Sequence, residues 1–194
     1  SNKDYLSTID GQIGDGDHGI NMNKGFQLCA KKIAGRDLSL ADGFIILGET
    51  LLEEIGGSMG PLYGMFFNAL GDAIMDSDFI TKESFLEMIK KGANEILNIG
   101  DAKEGDKTIL DTLLPAIRAY EKCLRENGDF YKCLTDMKKA AKRGCDNTKN
   151  MVAKIGRASR LGERSRGYID AGAASCYIIL ESMINSMLAK LEAS

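Results

Sequence analysis

The chain of 194 residues, with 44% hydrophobic and 27% charged side chains, is long enough and apolar enough to bury a core of its own. The net charge of −3 and the isoelectric point near 5.3 argue against a nucleic acid partner, because they indicate no basic surface that could hold a phosphate backbone. No apolar run approaches the ~20 residues that span a bilayer, and no signal peptide is visible, so we expect no membrane contact.

The predicted elements are all helices. Valine occurs once, at Val152, whereas apolar residues recur at spacings of three and four, which indicates an all-α fold. The predicted helices cover residues 20–34, 40–55, 61–75, 81–98, 108–127, 130–155 and 172–191. Thr81 is suited to capping a helix, and Pro61 to a first helical turn. Without repeats or linkers, residues 1–194 are expected to form a single domain.

The cysteines indicate no covalent framework. There are five, an odd number, and none has C-x-x-C spacing, which argues against disulfides and zinc knuckles. We expect buried, reduced thiols and a cytoplasmic protein.

A glycine-rich acidic loop precedes the first predicted helix, with carboxylates at Asp10, Asp15 and Asp17. The loop matches G-x-G-x-x-G, but a dinucleotide site needs a preceding strand, and the loop carboxylates would repel a bare pyrophosphate. EF-hand spacing and a Walker loop are both absent. Hard oxygen ligands of this kind suit Mg²⁺, which also binds water and substrate phosphates. The alternative is a solvated acidic loop that stabilises the next helix N-terminus.

Three other features are consistent with phosphate binding without requiring it. His18, the only histidine, lies at a helix start, where a phosphate contact is more plausible than a general base and a structural role is the alternative. Residues 56–64 offer backbone amides at a helix N-terminus, or form a plain turn. Residues 156–167 are rich in arginine, which suits bidentate phosphate contact or a solvated surface.

Long motifs in these loops resemble the L subunits of bacterial dihydroxyacetone kinases. Asp10 is followed by GDGDHGINMNKGF at 14–26, and the later matches are GGSMGPLYGMFF at 56–67, GDKTILDTLLPA at 105–116 and TKNMVAKIGRASRLGERSRGYIDAGAAS at 148–175. Several long motifs in the family's order are more specific than any single glycine pattern.

The resemblance implies an antiparallel barrel of about eight helices that binds ADP and two Mg²⁺ ions. Because only nine residues precede Asp10, the family's first helix is expected to be truncated or absent. By position, the metal ligands would be Asp10, Asp15 and Asp17. The phosphate contacts would be His18, Gly19, Ile20, Asn21, Ser58 and Met59, with Arg157 nearby as a charge stabiliser. The adenosine would be surrounded by Gly100, Ile109, Asp170, Ala171 and Gly172.

Three residues depart from the family pattern: Met59 replaces a usual serine, Tyr168 a usual histidine and Ala171 a usual proline. None is an expected metal ligand. Met59 could alter a phosphate contact, whereas Tyr168 and Ala171 are expected to tune the loop below the nucleotide.

The resemblance also implies how the work is divided among subunits. No catalytic residue with a covalent role is expected here, because a histidine on a separate K subunit holds dihydroxyacetone. Bound ADP would be phosphorylated by the phosphohistidine M subunit of the phosphotransferase system. Alternatives are an ATP-exchanging kinase subunit for a related ketose such as erythrulose, a nucleotide domain of the fatty-acid kinases, and a regulatory subunit that binds a transcription factor.

Overall fold

The computed structural model describes residues 2–77 and 79–193 of the chain, and within these ranges it contains helices and no strand. The α-helices are α1 (Lys3–Ile13), α2 (His18–Ile33), α3 (Leu40–Glu54), α4 (Met59–Ile74), α5 (Lys82–Ile99), α6 (Leu110–Arg125), α7 (Phe130–Asn147) and α8 (Ala171–Glu192). Two 3₁₀ segments, Thr148–Asn150 and Arg157–Ser165, lie between α7 and α8. The prediction of an all-α fold is confirmed.

One predicted helix boundary is wrong, and one helix lies outside the predicted segments. The segment 130–155 was expected to be one helix, but α7 ends at Asn147, where the hydroxyl of Thr148 donates to the carbonyl of Cys145 at 2.7 Å. The chain also has a helix before the acidic loop, α1, so this helix is present; that it is truncated stays a prediction. The other six segments match α2 to α6 and α8 within three residues at each end.

Side-chain caps explain where several helices begin. Thr81 caps α5 in a reciprocal capping box with Ser84, as its position predicted, and Ser39 forms the same motif with Asp42 at α3. Aspartates cap α7 and α8, through Asp129 and Asp170. Each cap provides an acceptor for an amide that has no partner within its helix.

The described residues fall into two compact units. The first contains residues 2–4 and 19–101, and the second contains residues 5–18 and 102–193. That residues 1–194 form a single domain stays a prediction.

In the first unit, α3 and α4 pack closely in an antiparallel pair. Gly64 on α4 lies against Gly48 and Leu52, and Gly71, seven residues further on, lies against Ala41 near the start of α3. A Cβ at Gly64 would approach the Gly48 carbonyl to 2.9 Å, so these positions allow close backbone packing that a larger residue would block.

An aromatic cluster centred on Phe67 fills the core of this unit. Its ring lies 5.3 Å from that of Phe66, 5.9 Å from Phe26 and 6.1 Å from Phe44, measured between ring centroids. These separations are typical of stabilising aromatic pairs, so the cluster ties α2, α3 and α4 together.

In the second unit, α7 packs against α6 and α8, and α1 contributes Leu6 and Ile9 to a core with Cys145 and the alanines at the start of α8. All five cysteines are buried and none forms a disulfide, as predicted. By length and composition α8 could cross a membrane, although no membrane contact was expected from the sequence. The core helix of a globular protein can have the same length and hydropathy, and α8 packs on α6 and α7 as a core helix does.

The loops of the second unit converge on a buried lysine. Lys107 is 1% exposed, and its Nζ donates to the backbone carbonyls of Ser165 at 2.6 Å, Tyr168 at 2.7 Å and Met151 at 3.3 Å. Burial lowers the pKa of Lys107, and nearby Asp170 opposes that change. Since only an ammonium offers three N–H donors, the three carbonyls are matched by the charged form.

Further buried polar groups hold the same loops. Asp111 accepts from the amides of Gly105 at 2.6 Å and Thr108 at 2.8 Å, which fixes the loop that carries Lys107. The hydroxyl of Ser165 accepts from the amide of Ala153 at 2.9 Å and donates to the carbonyl of Gly162 at 2.7 Å. The segments around residues 105, 151 and 165 are therefore held as one body.

We expect Lys107→Met to lower the free energy of unfolding by about 3–5 kcal/mol, because it removes a buried ammonium and leaves three backbone carbonyls without its hydrogen bonds. Urea denaturation would measure the change. Lys142→Met is the matched control, since Lys142 pairs with Asp146 on the surface and its loss should cost about 1 kcal/mol or less. Similar losses for the two variants would contradict the anchoring role of Lys107.

Candidate nucleotide and metal site

The acidic loop is folded by the end of α1 and the start of α2. Asp10 lies in the last turn of α1, and its carbonyl accepts from the amide of Gly14 at 2.6 Å. A Cβ at Gly14 would overlap the Asp10 carboxylate, and Gly16 has φ +80°, a left-handed conformation that favours glycine. The two glycines therefore let the chain reverse direction beside a carboxylate.

Each predicted metal ligand of the loop can be located. Asp10 Oδ2 accepts from the backbone amide of His18, the first residue of α2, at 3.2 Å. Asp15 Oδ1 accepts from the amide of Asp17 at 3.4 Å, and the other oxygen of Asp15 forms an ion pair with Arg157. The structure thus brings Arg157, predicted to lie near phosphates, to the acidic loop.

The carboxylates have suitable chemistry for Mg²⁺ but do not converge in this arrangement. Within residues 2–77 and 79–193, no three histidine, cysteine, aspartate or glutamate side chains surround a common point that could hold a metal ion. A cation bound by Asp15 would have to compete with the Arg157 guanidinium. The donor set suits a hard cation, because every ligand is a carboxylate oxygen.

His18 is buried, with 8% exposure, and its Nε2 lies 2.8 Å from the hydroxyl of Ser175 on α8. Burial lowers the pKa of His18 from 6.5 to about 4, so the ring is neutral at pH 7. The Ser175 hydroxyl also lies 3.0 Å from the carbonyl of Ala171 and 3.1 Å from that of Gly172. If its single proton goes to a carbonyl, His18 Nε2 must be the donor to Ser175.

This contact gives the His18 side chain a structural role at the start of α2. The sequence left open a choice between a phosphate contact and a structural residue. The bond to Ser175 links the loop to the first turns of α8. The groups suited to an anion are then the backbone amides at the start of α2.

The start of α8 gathers the residues of the second unit that were expected to lie near adenosine. Asp170 caps α8 by accepting from the amide of Ala173 at 2.8 Å, and its own amide donates to Thr148 Oγ1 at 3.0 Å. A Cβ at Gly172 would lie 3.5 Å from the backbone nitrogen of Ile109, so Ile109 and Gly172 are neighbours. Burial raises the pKa of Asp170 to about 6, although the amide of Ala173 and the Lys107 ammonium favour the charged form.

The remaining expected contacts lie in the first unit, at helix ends. Gly19, Ile20 and Asn21 are in the first turn of α2, where amides lack partners within the helix. Ser58 and Met59 are at the start of α4, and Gly100 follows the end of α5. The Ser58 side chain makes no capping hydrogen bond, unlike those of Ser39 and Thr81.

Sequence reasoning missed the residues that hold this site in place. Lys107, Asp111, Thr148 and Ser175 received no role, yet all are buried and hydrogen-bonded around the loops. Lys107 and Asp111 belong to the motif at 105–116, where charged residues close to apolar ones at the start of a predicted helix were the available signal.

The chain is similar to several known proteins. The family model described as the DAK2 domain matches residues 12–185. The ADP-binding subunit DhaL of the PEP-dependent dihydroxyacetone kinase of Escherichia coli is 36% identical over 185 residues, which cover 93% of this chain and 86% of that protein. The corresponding subunit of dihydroxyacetone kinase 2 of Listeria innocua is 34% identical over 188 residues, 95% of this chain and 87% of that protein.

A solved structure has the same fold. The dihydroxyacetone kinase of C. freundii, in complex with AMP-PNP and Mg²⁺, superimposes with a TM-score of 0.68 and 25% identity. The match covers 95% of this chain and 31% of the C. freundii chain, so this chain spans about a third of that protein. The chain therefore belongs to the DAK2 domain family. Within that family it is similar to the free-standing ADP-binding L subunits, along most of their length.

We expect acid to destabilise the wild type more than the variant His18→Gln. The pKa of folded His18, about 4, lies below its ordinary 6.5, so its contribution is present above pH 6.5 and is lost as the pH falls towards 4. Urea unfolding at pH 7.5 and pH 5.0 should show the wild type losing about 2 kcal/mol more than the glutamine variant. Equal losses would contradict a buried, neutral imidazole.

Proposed function

We propose that this chain is the ADP- and Mg²⁺-binding L subunit of a dihydroxyacetone kinase of the phosphotransferase-system type. The observation that carries the proposal is the turn from α1 into α2, where Asp10 lies in the last turn of α1 and Asp15 and Asp17 lie directly before the N-terminus of α2. Relatives that are similar to the chain along most of their length bear the name of ADP-binding subunits. Phosphoryl transfer requires mainly positioning and charge neutralisation, and this loop would supply both through the cations that it holds.

Asp10, Asp15 and Asp17 are the residues that would hold two Mg²⁺ ions. Bound there, the ions would neutralise phosphate charge and bridge the acidic loop to the nucleotide. For Asp15 this requires an exchange of partners, because its carboxylate is paired with Arg157. The released guanidinium would then be available to a phosphate, which is the charge-stabilising role proposed for Arg157.

The remaining residues divide between the two ends of the nucleotide. The phosphates would contact the start of α2, at His18, Gly19, Ile20 and Asn21, and the start of α4, at Ser58 and Met59. For His18 this contact would come from the backbone, since the imidazole is bound to Ser175. The adenosine would lie against Gly100, Ile109, Asp170, Ala171 and Gly172.

The chain has no covalent step of its own in this proposal. The sole histidine is buried and neutral, which suits a structural residue better than a phosphoryl carrier. Dihydroxyacetone would be held on a K subunit, and a phosphohistidine M subunit would phosphorylate bound ADP in the cytoplasm. An ATP-exchanging subunit for a related ketose, and a nucleotide-sensing subunit bound to a transcription factor, are the alternatives. Mass analysis of nucleotide released from the purified protein separates resident ADP from exchanging ATP.

The metal proposal predicts that ADP binds only with a divalent cation and that Asp15→Asn weakens binding by a hundredfold or more, since a carboxylate ligand is lost. Calorimetry with Mg²⁺ and with excess EDTA tests both statements. ADP affinity that is unchanged in EDTA would refute the metal bridge.

Two control variants separate the metal role of Asp15 from its ion pair. Asp37→Asn makes the same chemical change at an exposed position outside the loop and should leave affinity unchanged. Arg157→Gln breaks the same ion pair, but ADP binding should still require Mg²⁺. If Arg157→Gln removes the metal requirement, Asp15 acts through the ion pair instead.

The division of labour predicts no phosphorylation of dihydroxyacetone by the purified chain, even with ATP. Turnover should begin when a K subunit and a phosphorylated M subunit are added. A coupled assay for dihydroxyacetone phosphate measures this directly, with the Asp15→Asn variant as the control. Turnover by the chain alone, free of contaminating kinase, would overturn the subunit assignment.

A further inference from the structure

The positive charge of the chain is concentrated in one stretch of the second unit, residues 149–168, which we call the basic segment. It holds six basic residues and one acidic residue, whereas the remainder of the chain holds 19 basic and 27 acidic residues. The seven charged side chains of the basic segment are all exposed: Lys149, Lys154, Arg157, Arg160, Glu163, Arg164 and Arg166. A basic surface thus lies on a protein that is otherwise acidic.

The backbone of the basic segment is held in one conformation. Lys107 binds the carbonyls of Met151, Ser165 and Tyr168, and the amide of Gly167 donates to the carbonyl of Lys149 at 2.8 Å. The ends of the segment are therefore joined, and the arginines project from a fixed frame. A preorganised surface loses less conformational entropy when it binds a partner.

Two of its arginines have no acidic neighbour. Lys154 pairs with Asp106 and Arg166 with Glu163, but Arg160 and Arg164 have no carboxylate within 4.0 Å among the residues that the structure describes. Arg157, in the same 3₁₀ segment, pairs with Asp15 of the acidic loop. The basic segment therefore borders the loop where the phosphoryl group is proposed to arrive.

The basic segment also exposes apolar side chains. Ile155 is 38% exposed and Tyr168 is 39% exposed. Arginine and tyrosine are enriched at protein interfaces, where a few such residues supply most of the binding energy. A nucleic acid is the less suitable partner, since the rest of the chain is strongly acidic and would repel a long phosphate backbone.

We propose that the basic segment is the docking surface for an acidic face of the phosphoryl-donor protein, with Arg160 and Arg164 as its main charged contacts. The inference rests on the proposed function, which requires a donor to meet the acidic loop and leave in every cycle. A surface with much charge and little apolar area suits that task, because electrostatic steering speeds association without making the complex long-lived.

The test is the affinity of the wild type and two matched variants for the purified M subunit, measured by biolayer interferometry at low salt. Arg160→Glu/Arg164→Glu should weaken binding tenfold or more, because an acidic face would then be repelled. Lys139→Glu/Arg143→Glu changes the net charge equally on exposed positions of α7 and should have less than a twofold effect. In 0.5 M salt the wild type and the first variant should agree within about threefold, as screening removes the charge contribution.

Each outcome decides the proposal. Equal affinities of the two variants for the M subunit would overturn it. It would also be overturned if Arg160→Glu/Arg164→Glu lost binding to the K subunit but kept binding to the M subunit. Binding of duplex DNA by the wild type that this variant abolishes would overturn it as well. Mg-ADP calorimetry reports whether the first variant is folded, and if it is not, Arg160→Gln/Arg164→Gln replaces it with an expected loss of about threefold or more. Failure of the wild type to bind Mg-ADP would contradict the proposed function. The docking proposal is tested separately, by the affinity for the M subunit.

Discussion

The buried ammonium of Lys107 is the interaction on which the loops of the second unit depend. A charge in a protein interior is costly unless donors and acceptors are matched, and here three N–H groups meet three backbone carbonyls. These carbonyls belong to segments that are distant in sequence and have no regular secondary structure at Met151 and Tyr168. The Lys107 side chain therefore provides the hydrogen bonds that these backbone carbonyls would otherwise receive within a helix or sheet.

That frame places opposite charges beside each other at the proposed nucleotide site. The acidic loop holds Asp15 next to Arg157, and both groups are suited to a ligand that carries metal ions and phosphates together. The ion pair is exposed, so its own contribution to stability is small. Its partners can be exchanged for a cation and an anion at little energetic cost.

Burial shifts the pKa values of two ionisable groups near the start of α8, His18 and Asp170, in opposite directions. It lowers the pKa of His18 to about 4 and raises that of Asp170 to about 6, in both cases favouring the neutral form. Neutral His18 hydrogen-bonds Ser175, and Asp170 caps α8. Neither group is arranged as a nucleophile, which agrees with a subunit that positions a nucleotide and leaves the covalent chemistry to its partners.

The sequence by itself determined the helices from α2 to α8 and the composition of the acidic loop, because apolar periodicity, Thr81 and the glycines around Asp15 act through local geometry. It also located α8 within one residue, although it extended α7 past Asn147. It could not assign Lys107, Asp111 or Ser175, nor pair Asp15 with Arg157, since these contacts join residues from 6 to 157 positions apart. Only the tertiary structure decided that His18 is buried and neutral and that Lys107 binds three backbone carbonyls, because burial and carbonyl direction arise when distant segments pack together.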